Sequence, residues 1–428
     1  MKIRVVVSIL MAAVLGLYAV ACAVNDEETS GGFFKPKVEV SELSMVCVGD
    51  IMAHSPQYKS AYDAAAGTYN FDGNYAYVRD YIEAADVAFC NVETVFADKP
   101  PCGFPTFNAP AELATAIKNA GFDVAITANN HMIDQGTAGV EGSLQVLGNA
   151  GLKTVGSQLT EEEPDYLIFD AKGVKIGVVA YTYETTGSNS QASINGLNVP
   201  ADVANRICSF NPDTWQTDIT EIQENVAQAK AAGADIIVCY FHWGIEYLSQ
   251  PTEYQVNMAN QMIADSGVDV IFASHPHVLE PAAIVWSEAC QKNVPVYYSM
   301  GNFISNQRSE TLGANRRNTE DGMIAGVNFE ITRTDGEITK IEMVEANALP
   351  TWVNKYSAGG KWVYEVIPLD NNYGTCQSLL TSGSVSRADQ SIVDSLNVIG
   401  SQYERDEVGR VILFDAHKWI EENAEDEK

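Results

Sequence analysis

Positive charge is what this sequence has least of. Its 428 residues carry 26 Lys and Arg against 56 Asp and Glu, a formal net charge of −30. A body that acidic excludes nucleic acid as a general partner, because phosphate binding needs clustered Lys and Arg. Polybasic docking on anionic lipid is excluded for the same reason. No self-similar period of the kind that builds repeat arrays is present. Cysteine is sparse, at eight, and its spacing fits neither a zinc ribbon nor a dense disulfide frame. Cys47, Cys90 and Cys239 sit inside apolar, strand-like runs, where a free thiol is an ordinary small hydrophobe. A pair among Cys102, Cys208, Cys290 and Cys376 stays open. What is plentiful is apolar side chain, 46% against 19% charged, which argues for a packed globular chain with a large core and against disorder.

Long uncharged apolar runs are absent apart from Val5 to Ala23. Lys2 and Arg4 precede that run, and a polar stretch, Asn25 to Gly32, follows it. This is the pattern of a secretory signal. Ala19-Val20-Ala21-Cys22 resembles a bacterial lipoprotein box, with Cys22 as the lipidated residue. A plain cleaved signal and an uncleaved anchor are the competing readings. The expected organisation is a signal peptide over 1–21, a lipidated linker over 22–43, one large domain over 44–370, and a C-terminal helical segment with an acidic tail over 371–428. The expected location is the bacterial cell envelope, with a lipid anchor holding the protein to membrane. Loss of Lys2 and Arg4 with the leader makes the mature chain more acidic still.

Along the body, short apolar runs alternate with helical spacing. Strands are expected at Ser44–Val48, Asp86–Cys90, Phe122–Thr127, Val174–Tyr181, Asp235–Tyr240, Val268–Ala273 and Val294–Ser299. Helices are expected at Ala109–Gly121, Thr137–Gly151, Trp215–Ala232 and Thr252–Ser266, several closed by a glycine. Met323–Arg333 and Gly336–Glu345, joined at Thr334-Asp335-Gly336, read as a hairpin. The class is α/β, with layered sheets and helices outside.

The chemistry sits at the ends of the strands. The chain has six histidines, and His131, His242, His275 and His277 each follow directly on an apolar run. Asp50, Glu93 and Asn130 occupy the same kind of place. Ligands of α/β folds gather at the carboxyl ends of strands, so residues far apart in sequence can converge there. Imidazoles, carboxylates and an amide, with no thiolate, suit first-row divalent ions such as Mn, Zn or Fe. His275-Pro276-His277 places two imidazoles at i and i+2, on one side of an extended segment. Each fragment alone has a plainer reading as a turn, a cap or a packed histidine; their order and co-occurrence are what point to a metal site. His54 is ambiguous, and His417 reads as surface.

The ordered set Val48-Gly49-Asp50-Ile51-Met52, Asn91-Val92-Glu93, Ala128-Asn129-Asn130-His131, His242-Trp243-Gly244, Ser274-His275-Pro276-His277 and Met300-Gly301-Asn302-Phe303 resembles the poly-γ-glutamate capsule-synthesis (CapA-type) family. That family lies within the calcineurin-like metallophosphatase superfamily. The resemblance runs from about Ser44 to Leu369. It implies an α/β/β/α sandwich of two mixed sheets flanked by helices, and a centre for one or two divalent metal ions. It implies Asp50, Glu93, Asn130, His242, His275 and His277 as metal ligands, with Glu93 bridging, and His131 as general acid. One departure stands out: Met52 occupies the place where the superfamily has histidine.

Two functions follow. One is a metal-dependent hydrolase of phosphoesterase-like chemistry at the envelope. The other is a non-catalytic protein that binds, exports or anchors a capsular polyanion. The substrate or partner is accordingly an envelope phosphoester or an anionic capsular polymer. Asn302, Arg308, Arg316 and Arg317 are the residues expected to grip its anionic groups. An acidic body repels such a polymer, so binding needs local cations.

Overall fold

Alternation at a period of two decides the layers. In the computed structural model, which describes residues 35–187, 192–371 and 380–418, the main strands, leaving aside two-residue ones, follow in chain order. They are β1 (Val38–Ile51), β2 (Val87–Val92), β3 (Val124–Ile126), β4 (Lys153–Val155), β5 (Tyr166–Ala171), β6 (Val174–Tyr183), β7 (Ile236–His242) and β8 (Val270–Ser274). Then come β9 (Ala282–Ser287), β10 (Lys292–Tyr297), β11 (Asn302–Ile304), β12 (Asp321–Thr334), β13 (Glu337–Ala358), β14 (Lys361–Pro368) and β15 (Val411–Asp415). The main helices are α1 (Glu112–Asn119), α2 (Thr137–Asn149), α3 (Trp215–Ala231), α4 (Glu253–Ser266) and α5 (Ser382–Ile399).

Two mixed sheets result. The larger has ten strands, with β15, β13, β12, β1, β2, β3 and β4 in that order across it and β11 beside β1. The pairings of β1 to β4 and of β1 with β11 are parallel, and those of β1, β12, β13, β14 and β15 antiparallel. The second has seven strands, with β6, β7, β8 and β10 parallel and β5 and β9 antiparallel at its sides.

Successive residues of one strand point to opposite faces. Met45, Cys47 and Phe89 of the first sheet therefore meet Val178, Ala180, Val238 and Phe272 of the second in one core between the sheets. Their neighbours Val48, Ala88 and Cys90 face outward against Leu113 and Ile117 of α1. On the far side Val179, Tyr181, Ile237 and Cys239 meet Ile219 and Ile222 of α3 and Met258 and Met262 of α4. This is the helix–sheet–sheet–helix sandwich. Each such side chain taken fully out of water contributes roughly 1.5–3 kcal/mol, so the doubly covered strands are the most strongly held part of the chain.

The cysteines at 47, 90 and 239 are buried and free, as expected, and Cys102, Cys208 and Cys290 are free as well. Cys376 lies outside the described residues, as do Cys22, the leader over 1–21 and the end of the acidic tail. No helix among the described residues is long and apolar enough to cross a membrane.

Two boundaries differ from expectation. The linker does not run to residue 43, because β1 starts at Val38 and pairs with β12 from Val38 opposite Thr334 onward. Val38-Glu39-Val40-Ser41 alternates apolar and polar, which suits an edge of the sheet better than a tether. The C-terminal segment, too, is more than a helix. After α5 the chain returns as β15, which pairs antiparallel with β13 and extends the first sheet.

Three glycines let backbone cross backbone at the carboxyl end of β1. A Cβ on Gly49 would lie 1.9 Å from the Gly301 carbonyl oxygen, and one on Gly322 would lie 2.4 Å from that of Asn302. Gly301 itself has φ +66°, and a Cβ there would lie 2.6 Å from the Asp321 carbonyl oxygen. The close approach lets the Asp50 amide donate to Gly301 O at 3.0 Å. It also seats β11 beside the last residues of β1, where β12 has left off.

Candidate metal centre

All the strand-end residues singled out above for metal come to one place. Asp50 ends β1, Glu93 follows β2, Asn130 and His131 follow β3, His242 ends β7, and His275 and His277 follow β8. Asp50, Glu93 and His242 have no exposed surface, and none of the others exceeds 4%. Two donor groups form, Glu93–His242–His275 and Asp50–Glu93–His277, each with its ligand atoms within 4.8 Å of one another. Glu93 is common to both.

Glu93 is the most telling of these residues. Its Oε1 lies 3.7 Å from His277 Nε2, 3.8 Å from His242 Nε2 and 3.9 Å from His131 Nε2. Neither of its oxygens has a hydrogen-bond partner among the described residues, although both are buried. An unpaired buried carboxylate is costly. Burial, reinforced by the neighbouring Asp50 carboxylate, pushes its pKa well up. A divalent cation on those oxygens removes the cost, and the nitrogen and oxygen donors fit one. His275 Nδ1 is likewise buried without a partner.

His242 and His275 are held neutral, the form in which a ring nitrogen has a lone pair to give. Burial, together with His277 and His131, takes His242 down to about 3 against the raising pull of Asp50. Burial and the neighbouring His242 and His277 push His275 well down. At Asp50 burial opposes the charge. The hydrogen bond and charge of His277, aided by His242 and Ser274, outweigh it and hold the carboxyl below its usual range.

A ring of polar side chains aims the donors. Asn91 Nδ2 donates to Asp50 Oδ1 at 2.8 Å, and Asn129 Nδ2 donates to Asn91 Oδ1 at 3.1 Å and to Val92 O at 2.9 Å. Asn130 Oδ1 lies 2.9 Å from His242 Nε2, which puts it beside the Glu93–His242–His275 group. On the other edge of that ring, Ser274 Oγ sits 3.3 Å from His242 Nδ1 and 2.6 Å from the Tyr240 hydroxyl. His277 Nδ1 lies 3.0 Å from Asp50 Oδ2 and 3.2 Å from Asn302 Oδ1, which turns its Nε2 toward Glu93. His131 Nδ1 lies 2.7 Å from Asp134 Oδ2.

The backbone is strained where the two histidines enter. His275 has φ +114° and His277 φ +57°. Positive φ in a residue with a Cβ costs on the order of 1–3 kcal/mol and persists only where surroundings over-determine it. Here the Trp243 amide donates to Ser274 O and the Tyr247 amide to Pro276 O, at 3.0 and 2.7 Å. Trp243 itself is core, stacked on Phe241 with its Nε1 donating to Tyr298 O.

Met52 is buried, and its sulfur accepts from Ser305 Oγ at 3.6 Å. His54 does not join either donor group. Its Nε2 lies 3.2 Å from Ser305 Oγ and its ring stands edge-on to Phe107. Burial, with His277 and His131 nearby, lowers it to about 3.

The residues expected to grip an anion divide. Arg308 is a correction: it is buried, its Nη1 donating to Val353 O at 2.7 Å and its Nη2 to Glu320 at 2.9 Å. It forms a buried ion pair with Glu320. Asn302 is a second correction. It has no exposed surface, and its amide donates to Gln307 Oε1 and Thr319 O while its oxygen meets His277, so its polar atoms are engaged in positioning a donor. Arg316 is exposed and lies over the Tyr247 ring, 4.1 Å from its centroid. Tyr247 is in turn 6.1 Å from His277. The side chain of Arg317 lies outside those described.

A family model for the bacterial capsule synthesis protein PGA_cap matches residues 44–307. The chain belongs to this PGA_cap family. Its relatives include the capsule biosynthesis protein CapA of Bacillus anthracis, 29% identical over 63% of this chain and 61% of that one. They also include the PGA biosynthesis protein CapA of Bacillus subtilis, 28% identical over 79% of this chain and 82% of that one. The match thus spans less than two thirds of the B. anthracis protein. Among solved structures, the calcineurin-like phosphoesterase YfkN from Bacillus subtilis is similar at 14% identity and a TM-score of 0.38, over 84% of this chain and 99% of that one. The PGA_cap match ends at residue 307 and so stops short of β12 to β15 and α5, which complete the first sheet.

Proposed function

We propose that this PGA_cap protein is a divalent-metal-dependent hydrolase of the cell envelope, cleaving a phosphoester or related anionic substrate in capsular poly-γ-glutamate synthesis. The observation that carries the reading is Glu93, a fully buried carboxylate with both oxygens unpartnered among the described residues, shared by two groups of metal donors. Glu93, His242, His275 and Asn130 would hold one cation, and Asp50, Glu93 and His277 the other. Such ions supply Lewis acidity and a water of lowered pKa.

The chain's own residues do the rest. Asp134 accepts from His131 Nδ1, which fixes the tautomer and leaves Nε2 facing the centre. With Nδ1 held by Asp134, His131 can pass a proton from Nε2 to a leaving oxygen. Tyr183 packs its ring on His275, centroids 4.5 Å apart, and shields that side from water. Arg316, stacked on Tyr247 at the rim, offers positive charge where an otherwise acidic surface would repel an anionic polymer.

A second reading has one observation in its favour. Met52 stands where a further imidazole is expected, so the Asp50–Glu93–His277 position has His277 as its one nitrogen donor among the described residues. A centre weakened in this way suits a protein that binds a capsular polyanion through its cations without cutting it. Export and lipidation at Cys22 belong to both readings.

The test is a screen of the Mn-loaded protein on phosphate mono- and diesters and on γ-glutamyl polymers. The first reading expects metal-dependent turnover that His131→Ala reduces by about 10²–10⁴ with metal content unchanged. Tight binding of poly-γ-glutamate with no turnover of any ester replaces it with the second.

A further inference from the structure

The C-terminal helix α5 lies outside the PGA_cap match, yet it is wired to one side of the metal centre. Arg387 of α5 reaches Glu320 at 3.3 Å and Asp321 at 3.3 Å, and Ser391 one turn later donates to the same Asp321 oxygen at 2.5 Å. Glu320 is also held by Arg308 and by Trp352 Nε1 at 3.2 Å. Glu320 and Asp321 are buried and adjoin Thr319 and Gly322. The Thr319 carbonyl accepts from Asn302 Nδ2 at 2.9 Å, and Gly322 bridges to Gly301. From there two short links enter the centre. Asn302 Oδ1 meets His277 Nδ1 at 3.2 Å, and Gly301 O accepts from the Asp50 amide at 3.0 Å.

Both links end on the Asp50–Glu93–His277 group. Neither ends on His242, which Ser274 and Asn130 contact, or on His275, which packs against Tyr183. We propose that Arg387 is a positioning residue for one of the two cation sites, bracing the 319–322 segment so that Asn302 and Gly301 keep His277 and Asp50 in ligating position. The inference rests on the two-cation reading above. The brace acts on the position that Met52 leaves short of a nitrogen donor, where loss of geometry has the largest effect.

Arg387 is partly exposed and its partners have other support, so its loss leaves the fold intact. Glu320 keeps Arg308, and burial already pushes Asp321 up to about 7 despite Arg387 and Ser391, so it can carry a proton. The experiment is Mn(II) titration of the full chain by calorimetry and electron paramagnetic resonance, on wild type, R387A and R387K. Arg410→Ala serves as a control, since it breaks a C-terminal ion pair to Asp406 remote from the centre. The wild type should bind two ions and give a spin-coupled signal. R387A should keep the first binding step and weaken the second by about 10–100-fold, with an isolated-ion signal at equal loading. R387K should recover part of the loss, and Arg410→Ala should change neither step. An R387A protein with both steps and the coupled signal unchanged overturns the brace, as does equal weakening of both steps. Absence of Mn binding by the wild type overturns the two-cation reading and the brace with it.

Discussion

His131 Nδ1 lies 2.7 Å from Asp134 Oδ2, and the same carboxylate oxygen accepts the Phe107 amide at 2.5 Å. The carboxylate is therefore fixed from two sides before it fixes the imidazole. Asp134→Ala removes the acceptor that selects the tautomer of His131. Turnover should fall by about 10²–10⁴, with Mn content unchanged by elemental analysis. A variant with normal turnover would show that His131 moves no proton.

Glu93 makes opposite demands with and without metal. In chelator it is a buried carboxylate crowded by Asp50. Glu93→Gln should then raise stability by roughly 1–3 kcal/mol, seen as a higher melting temperature. In excess Mn the order should reverse, because the wild type gains binding free energy that the amide cannot match. Equal shifts in both conditions would speak against a cation on Glu93.

Asp321 sets an unusual pH dependence. Burial is the main cause that lifts it from 3.8 to about 7, against the pull of Arg387 and Ser391. A raised acid binds its proton more tightly in the folded state. Its contribution is thus complete below about pH 4 and is lost as pH rises toward 7, at up to about 1.4 kcal/mol per unit. Denaturant melts of metal-free wild type and Asp321→Asn between pH 4.5 and 8 should diverge, the wild type losing stability relative to the variant as pH rises. Parallel curves would mean that Asp321 does not carry the proton.

Gly49→Ala tests the backbone crossing. Its Cβ would lie 1.9 Å from the Gly301 carbonyl, and a backbone atom cannot step aside as a flexible side-chain end can. The cost should be about 1–3 kcal/mol or more, together with weaker metal binding, because Asp50 moves with it. Unchanged melting and metal content would contradict the crossing.

Most of the centre is written in the sequence, because each donor follows an apolar run long enough to announce a buried strand. The class and the two sheets follow from the same runs. The residues that aim the donors are harder to see. Asn91, Asn129 and Ser274 act only through contacts across strands, and nothing in their type announces that. Asp134 was accessible, three residues after His131 in the turn that follows β3. Arg308 shows the limit in the other direction. It lies six residues beyond Asn302 in the chain, but its side chain turns away to Glu320. The short apolar run Val411-Ile412-Leu413-Phe414 lies in a segment that otherwise reads as helical, and pairing with β13 makes it a strand.

The central claim is that Glu93 joins two cation sites. Elemental analysis and Mn titration of the purified chain, wild type beside Glu93→Gln, test it most directly. The account predicts two ions per wild-type chain and, for the variant, the loss of at least one with both affinities lowered. A wild type that binds no divalent ion, or a variant that binds two as tightly, would contradict it.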